Sequence, residues 1–290
     1  MSFSRLIRFE GADGAEHFGE PQIDNADDLT KLLESGKLVA TVLEGGSPFD
    51  LKSGSGNTQE VKRILPILTP KDVPIIKCIG LNYIKHIQEG GRKPPPYPSV
   101  FIKPSACVAS STEDVPIPKL AQEDQCDYEG ELSVVIGKAG KNISKEDALD
   151  YVAGYVASND VSARTWQRDP AYAGGVPQWC FSKGFDKYAP LGPMIVSPKV
   201  VGDASKLRLQ TWVNGDLRQD TETSDLLFGV KEIISFISQG TTLEPGTVVM
   251  TGTPAGVAMG MKTPLYLKDG DVVKVGISEL GYVENKMVFE

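Results

Sequence analysis

From Val73 onward the chain is written in short β-branched and apolar runs, each cut within a few residues by glycine or proline. With 30 glycines and 20 prolines among 290 residues, few stretches can carry a helix of several turns, so the fold must be built mainly from strands and turns. Spacing predicts strands at Ser99–Ile102, Leu132–Ile136, Leu207–Val213 and Thr247–Met250, and Asn214-Gly215 predicts a two-residue hairpin. Two helices are predicted: Lys145–Tyr151, with Ser144 and Asp147 at its start, and Leu226–Ser238, stopped by Gly240. No fixed-period repeat and no GxGxxG after a strand is present, which argues against solenoid and dinucleotide-binding folds. The expected class is α+β, dominated by mixed sheet.

Residues 1–70 read as a small N-terminal domain, with a strand at Leu6–Phe9, a helix at Ala26–Leu33 and a polar linker Ser53-Gly54-Ser55-Gly56-Asn57; residues 71–290 form the main domain. A net charge of −8 leaves no basic footprint for a nucleic-acid backbone. The four cysteines, Cys78, Cys107, Cys126 and Cys180, form no CxxC pair and read as reduced, mostly packed thiols rather than zinc or redox ligands. No run of 18 apolar residues predicts a membrane span. The opening Met1–Gly14 carries Glu10 and Asp13 and resembles neither a signal nor a transit peptide, so the expected location is cytoplasmic rather than mitochondrial.

Chemistry-bearing residues fall in four groups. In Asp127-Tyr128-Glu129-Gly130-Glu131 a strand period of two puts three carboxylates on one face. Such a patch either holds a hard cation, Mg²⁺, Mn²⁺ or Ca²⁺, or is a solvated edge that discourages strand pairing. Asp160 ends an apolar strand and either completes that site or caps the helix start at Val161–Arg164. His86 and Glu89, three apart on a short glycine-bracketed helix and sharing a face with Asn82, read as a general-base pair on a lid or as a surface ion pair. Lys103 and Lys183 are embedded in apolar sequence and either snorkel to solvent or hold an anionic substrate. The turn at Thr251-Gly252-Thr253 offers N–H and hydroxyl groups to an anion, or is only a turn.

Taken in order, these segments resemble the fumarylacetoacetate hydrolase superfamily from about Ile75 to Glu290. The likeness rests on Gly80-Leu81-Asn82-Tyr83 with His86, Phe101-Ile102-Lys103-Pro104, Asp127–Glu131, and Asn159-Asp160-Val161-Ser162-Ala163-Arg164 with Gln167. It continues through Lys183-Gly184-Phe185-Asp186, Pro190-Leu191-Gly192-Pro193, Val213-Asn214-Gly215 and Thr251-Gly252-Thr253-Pro254. The stretch Lys262–Asp271 looks most like the branch that includes oxaloacetate tautomerases, and acylpyruvate hydrolases share a similar core. Gly184 and Thr165 depart from the family pattern, which often has Ser or Thr after the lysine and an acid after the arginine.

The resemblance implies a mixed β-sandwich roll, a homodimer, and a divalent metal, Mg²⁺ or Mn²⁺ first, held by Glu129, Glu131 and Asp160. It also implies a catalytic set of His86, Glu89 and Lys183, with Lys103, Arg164, Gln167 and Thr253 on the substrate side. The expected substrate is a small 2-oxo acid whose enolate the metal stabilises, oxaloacetate first, for tautomerisation or decarboxylation; acylpyruvate C–C hydrolysis is the alternative. A non-catalytic metal-dependent binder of small molecules is the reading from another class. A binder has no use for a proton relay, so the complete dyad argues against it.

Overall fold

Every residue of Gly130–Ile136 and of Val152–Asn159 is buried, so these strands have no solvent face and lie at the centre of a sheet. They pair antiparallel from Gly130↔Asn159 to Ile136↔Val152. In the computed structural model, which describes residues 2–290, an 11-stranded mixed sheet extends on both sides of this pair. On one side come Val248–Met250, then Ile76–Gly80 in parallel, then Ser99–Lys103 as the outer strand. On the other come Ala189–Val196 and Arg5–Gly11, followed by Lys52–Leu65, Val39–Glu44 and Glu16–Pro21. A second sheet of five strands is ordered Asp216–Glu222, Arg208–Val213, Val272–Ile277, Gly281–Phe289, Val115–Ile117.

All four strands predicted in the main domain form, within two residues at each end. The hairpin also forms: Val213 faces Asp216, and Asn214 and Gly215 take φ of 51° and 86°, as a two-residue turn matched to strand twist requires. Both predicted helices are shorter than expected. Ser144 and Asp147 bond each other, and only a 3-10 turn, Ala148–Tyr151, follows. The second helix begins at Val230, because the Leu227 and Phe228 N–H groups are taken by Asn82.

The polar stretch 53–57 is not a linker but part of the strand Lys52–Leu65. Ladder hydrogen bonds come from the backbone, so exposed positions such as Ser53, Gly56 and Asn57 can be carried within a strand. At the other end of this region, Arg5 and Leu6 pair with Val196 and Ile195, so the N-terminal strands continue the main sheet. Residues from both regions, Ile7 and Phe9 with Leu132 and Tyr155 among them, share one hydrophobic core. No described helix is long and apolar enough to cross a membrane.

Candidate active site

The carboxylates meet at the end of the central strand pair. Glu129 and Glu131 flank Gly130, whose partner across the ladder is Asn159, the residue before Asp160. The Asp160 N–H donates to the Glu129 carbonyl at 2.9 Å, and the Glu129 N–H to Asn159 Oδ1 at 3.0 Å. This stitching brings one oxygen each of Glu129, Glu131 and Asp160 within 4.8 Å of one another, all three residues buried. The solvated-edge alternative therefore fails. Asp160 caps no helix either, since the next one, Arg164–Arg168, starts after Ala163.

Asp127 does not join them. The strand Cys126–Asp127 ends before Tyr128, which breaks the period of two. Its carboxylate instead accepts from Arg164 Nε at 2.7 Å and from the Ala258 and Met259 N–H groups at 2.9 and 3.1 Å.

Three buried cations brace the acids. Lys183 Nζ donates to Glu129 Oε2 (2.9 Å), Asp160 Oδ2 (2.6 Å) and Ser162 Oγ (2.7 Å). Arg164 reaches Glu129 Oε1 at 2.6 Å as well as Asp127. Lys103 bonds Asp160 Oδ1 at 2.6 Å and the Tyr188 carbonyl. Neither lysine snorkels, being 0% and 2% exposed. Lys103 was expected on the substrate side, but it sits behind Asp160 and is absent from the cavity wall. The signal was present in sequence: on the strand Ser99–Lys103 it shares parity with buried Phe101, while Val100 and Ile102 face out.

Among the described residues Glu131 has no cation within ion-pair distance, and its carboxylate accepts from the Gly252 N–H at 2.7 Å. Burial, reinforced by Asp160 and Glu129, pushes its pKa well above the usual carboxylate range. Burial acts on Glu129 in the same direction, but Lys183 and Arg164 outweigh it and hold that carboxyl at about 2. One unneutralised acid among three converging hard oxygen donors is the electrostatic shape of a divalent-cation site, so these residues fit such an ion.

Across a cavity of about 340 Å³ stands the helix Ile84–Glu89. His86 lines the cavity, and its Nδ1 lies 3.0 Å from Glu89 Oε2. Glu89 Oε1 in turn accepts from the Gly256 N–H at 3.3 Å. Asn82 is not on the dyad face. It lies before the helix, fully buried, and bonds the Phe228 and Thr251 carbonyls and the Phe228 N–H. The leading end of the expected lid is therefore pinned. Gly80 is no hinge there: a Cβ on it would lie 2.0 Å from Trp179 Cζ3, so glycine is needed to admit the indole.

Arg164, Gln167, Lys183 and Thr253 all line the cavity. Thr253 is held by its bond to the Gly130 carbonyl and by Gln219, and the Gly252 N–H serves Glu131 rather than an incoming anion. Sequence reasoning missed Arg92, Arg168, Trp179 and Met259, which also line the wall. No spacing rule points to them, because they come from loops and short helices that only the fold brings together.

The chain matches the fumarylacetoacetate hydrolase C-terminal family over residues 75–288. It is 39% identical over 292 aligned positions to the caffeoylpyruvate hydrolase of Neonothopanus nambi, covering 98% of this chain and 93% of that protein. It is 41% identical over 260 positions to the mitochondrial oxaloacetate tautomerase of Xenopus laevis, covering 90% and 78%. Among solved structures, the 2-hydroxyhepta-2,4-diene-1,7-dioate isomerase from Mycobacterium marinum is similar with a TM-score of 0.79, 30% identity and 99% of each chain covered.

Proposed function

The chain belongs to the fumarylacetoacetate hydrolase family and is an enzyme, and from that premise we propose that it acts, with a divalent metal, on a small enolisable 2-oxo acid, oxaloacetate first, as tautomerase or decarboxylase. The observation that carries this is the uncompensated Glu131 in a buried carboxylate triad that shares a cavity with His86. Held by Glu129, Glu131 and Asp160, Mg²⁺ or Mn²⁺ would act as a Lewis acid toward the 1-carboxylate and 2-oxo group.

The chain's own residues do the rest. With Nδ1 committed to Glu89, the His86 ring has Nε2 left to take a proton from the substrate carbon and return it at the oxygen, or the reverse. Lys183 spends its three N–H bonds on Glu129, Asp160 and Ser162. It therefore works as a fixed positive charge beside the developing enolate rather than as a proton carrier. Burial opposes that charge, but Asp160 and Glu129 hold its pKa above the ordinary lysine value. Gln167, oriented by Arg164 Nη1 at 3.0 Å, and Thr253 supply polar contacts at the wall.

A second reading, acylpyruvate C–C hydrolysis with His86 activating water, is favoured by one observation. Phe101 and Trp179 meet edge to face at 5.3 Å between centroids and give the cavity an aromatic side suited to an apolar acyl tail. We read the two sheets as a sandwich roll with residues 1–70 as a small unit at one edge, and the active protein as a homodimer.

Enol-enriched oxaloacetate with Mg²⁺ or Mn²⁺ separates the branches. A tautomerase accelerates loss of enol absorbance, a decarboxylase yields pyruvate and CO₂, and a hydrolase acts only on an acylpyruvate. No reaction with any of these substrates would reject the proposal.

A further inference from the structure

The cavity wall carries a second charged feature, on the residues that the carboxylate network does not use. Arg92 follows the dyad helix, Arg168 ends the helix Arg164–Arg168, and both line the cavity. Neither has an acid within ion-pair distance among the described residues, although acidic residues outnumber basic ones 38 to 30 in the chain. Arg168 Nη1 donates to the Met259 thioether at 2.9 Å. Thioether sulfur is a weak acceptor, so most donors of this exposed guanidinium are left to water or to a ligand at the cavity rim. Burial and then the Arg92 and Arg164 guanidiniums hold the Arg168 pKa below the ordinary arginine value, which marks a local surplus of positive charge. By contrast, the Arg164 charge is already paired with Asp127 and Glu129, and its Nη1 donates to Gln167.

We infer that Arg168, with Arg92, is the specificity-determining pair that holds a second carboxylate at the far end of the substrate, so that the preferred substrate class is the 2-oxo dicarboxylates rather than 2-oxo acids with an uncharged tail. This rests on the reading above, in which the 2-oxo acid end lies at the carboxylate triad. The cavity volume of about 340 Å³ is at the small end for ligand sites, which run from ~300 to ~1,000 Å³, and it suits a compact diacid spanning from triad to rim. Guanidinium forks match carboxylates in a two-point geometry that lysine does not reproduce. Arg168→Lys is therefore a partial replacement only.

The test compares kcat/KM for oxaloacetate and for acetylpyruvate, a 2-oxo acid with an uncharged tail, in the Mn²⁺-loaded wild type, Arg168→Ala, Arg168→Lys and Arg92→Ala. Wild type should prefer the dicarboxylate. Arg168→Ala should cut the ratio of the two kcat/KM values by about 10-fold or more, mainly through KM for oxaloacetate, with Arg168→Lys in between and Arg92→Ala smaller. A ratio unmoved by Arg168→Ala, or a wild type that prefers acetylpyruvate, would overturn the inference while leaving the metal-dependent reading intact. Mn²⁺ affinity measured in the same variants keeps the two apart: the inference requires it to stay within about twofold, and loss of Mn²⁺ binding in Arg168→Ala would count against it. Should wild type process neither substrate, the underlying reading fails and this one falls with it.

Discussion

The floor and the rim of the cavity are built on opposite terms. At the floor, Glu129, Asp160, Lys103, Lys183 and Arg164 are buried and cross-bonded, and each ammonium or guanidinium has its carboxylate. At the rim, His86 and Glu89 keep 16% and 26% side-chain exposure, and Arg92 and Arg168 have no acid partner among the described residues. Buried charges are tolerable only when paired, and removing one partner strands the other, so the floor cannot be edited one residue at a time. Rim groups are wetted, and their loss alters chemistry without stranding a charge. The difference assigns stability to one layer and discrimination to the other.

The largest effect should come from breaking the floor. Glu129→Ala strips an anion from both Arg164 and Lys183, so Mn²⁺ binding and turnover should disappear together, with unfolding free energy falling by about 3–5 kcal/mol. Titrating Mn²⁺ by calorimetry and urea by circular dichroism measures both, and unchanged Mn²⁺ affinity would show the ligand set to be misplaced. Lys103→Met should cost a similar ~3–5 kcal/mol in urea and loosen Mn²⁺, since it frees Asp160 from its brace. If oxaloacetate KM rises instead with stability intact, Lys103 touches substrate after all.

The same comparison sharpens at the rim. His86→Ala should lower kcat by ~10²-fold, the usual size of a general-base contribution, and leave the urea midpoint nearly unmoved. Equal turnover by variant and wild type would remove the dyad from the mechanism. Gly80→Ala forces a methyl into the Trp179 ring, and overpacking of this kind costs about 1–3 kcal/mol. Its signature should be a shifted tryptophan emission together with a raised KM.

The smallest effect is a matter of counting. Cys180 is exposed, while burial raises the Cys107 thiol to about 11 and Cys78 well above its usual value. A raised pKa leaves little thiolate at pH 8, so a disulfide reagent should titrate one thiol quickly in the native protein and three more only in denaturant. Two fast thiols would mean that the packing around the floor is looser than described.

What the sequence made legible followed from local rules. Glu129, Glu131 and Asp160 were readable because strand ends put chemistry at predictable places, and Asn214-Gly215 because a tight turn needs residues tolerant of positive φ. Asp127 was misgrouped because periodicity assumes an unbroken strand, and Tyr128 interrupts it. Asn82 was assigned to the dyad face because helical spacing was carried back two residues before the helix begins. Arg92 and Arg168 were illegible for a different reason. What distinguishes them is the lack of an acidic partner among the described residues, a property that exists only after folding.

The turn that follows Val248–Met250 has reach beyond its length. Its Gly252 N–H holds Glu131, its Gly256 N–H holds Glu89, and its Ala258 and Met259 N–H groups hold Asp127. Backbone donors cannot be substituted away, only displaced by inserting or deleting residues. A redesign of this catalyst for new substrates should therefore leave the length of 251–260 untouched and do its retooling on the opposite lip, in the exposed stretch beyond Arg92, the last residue of that lip on the cavity wall.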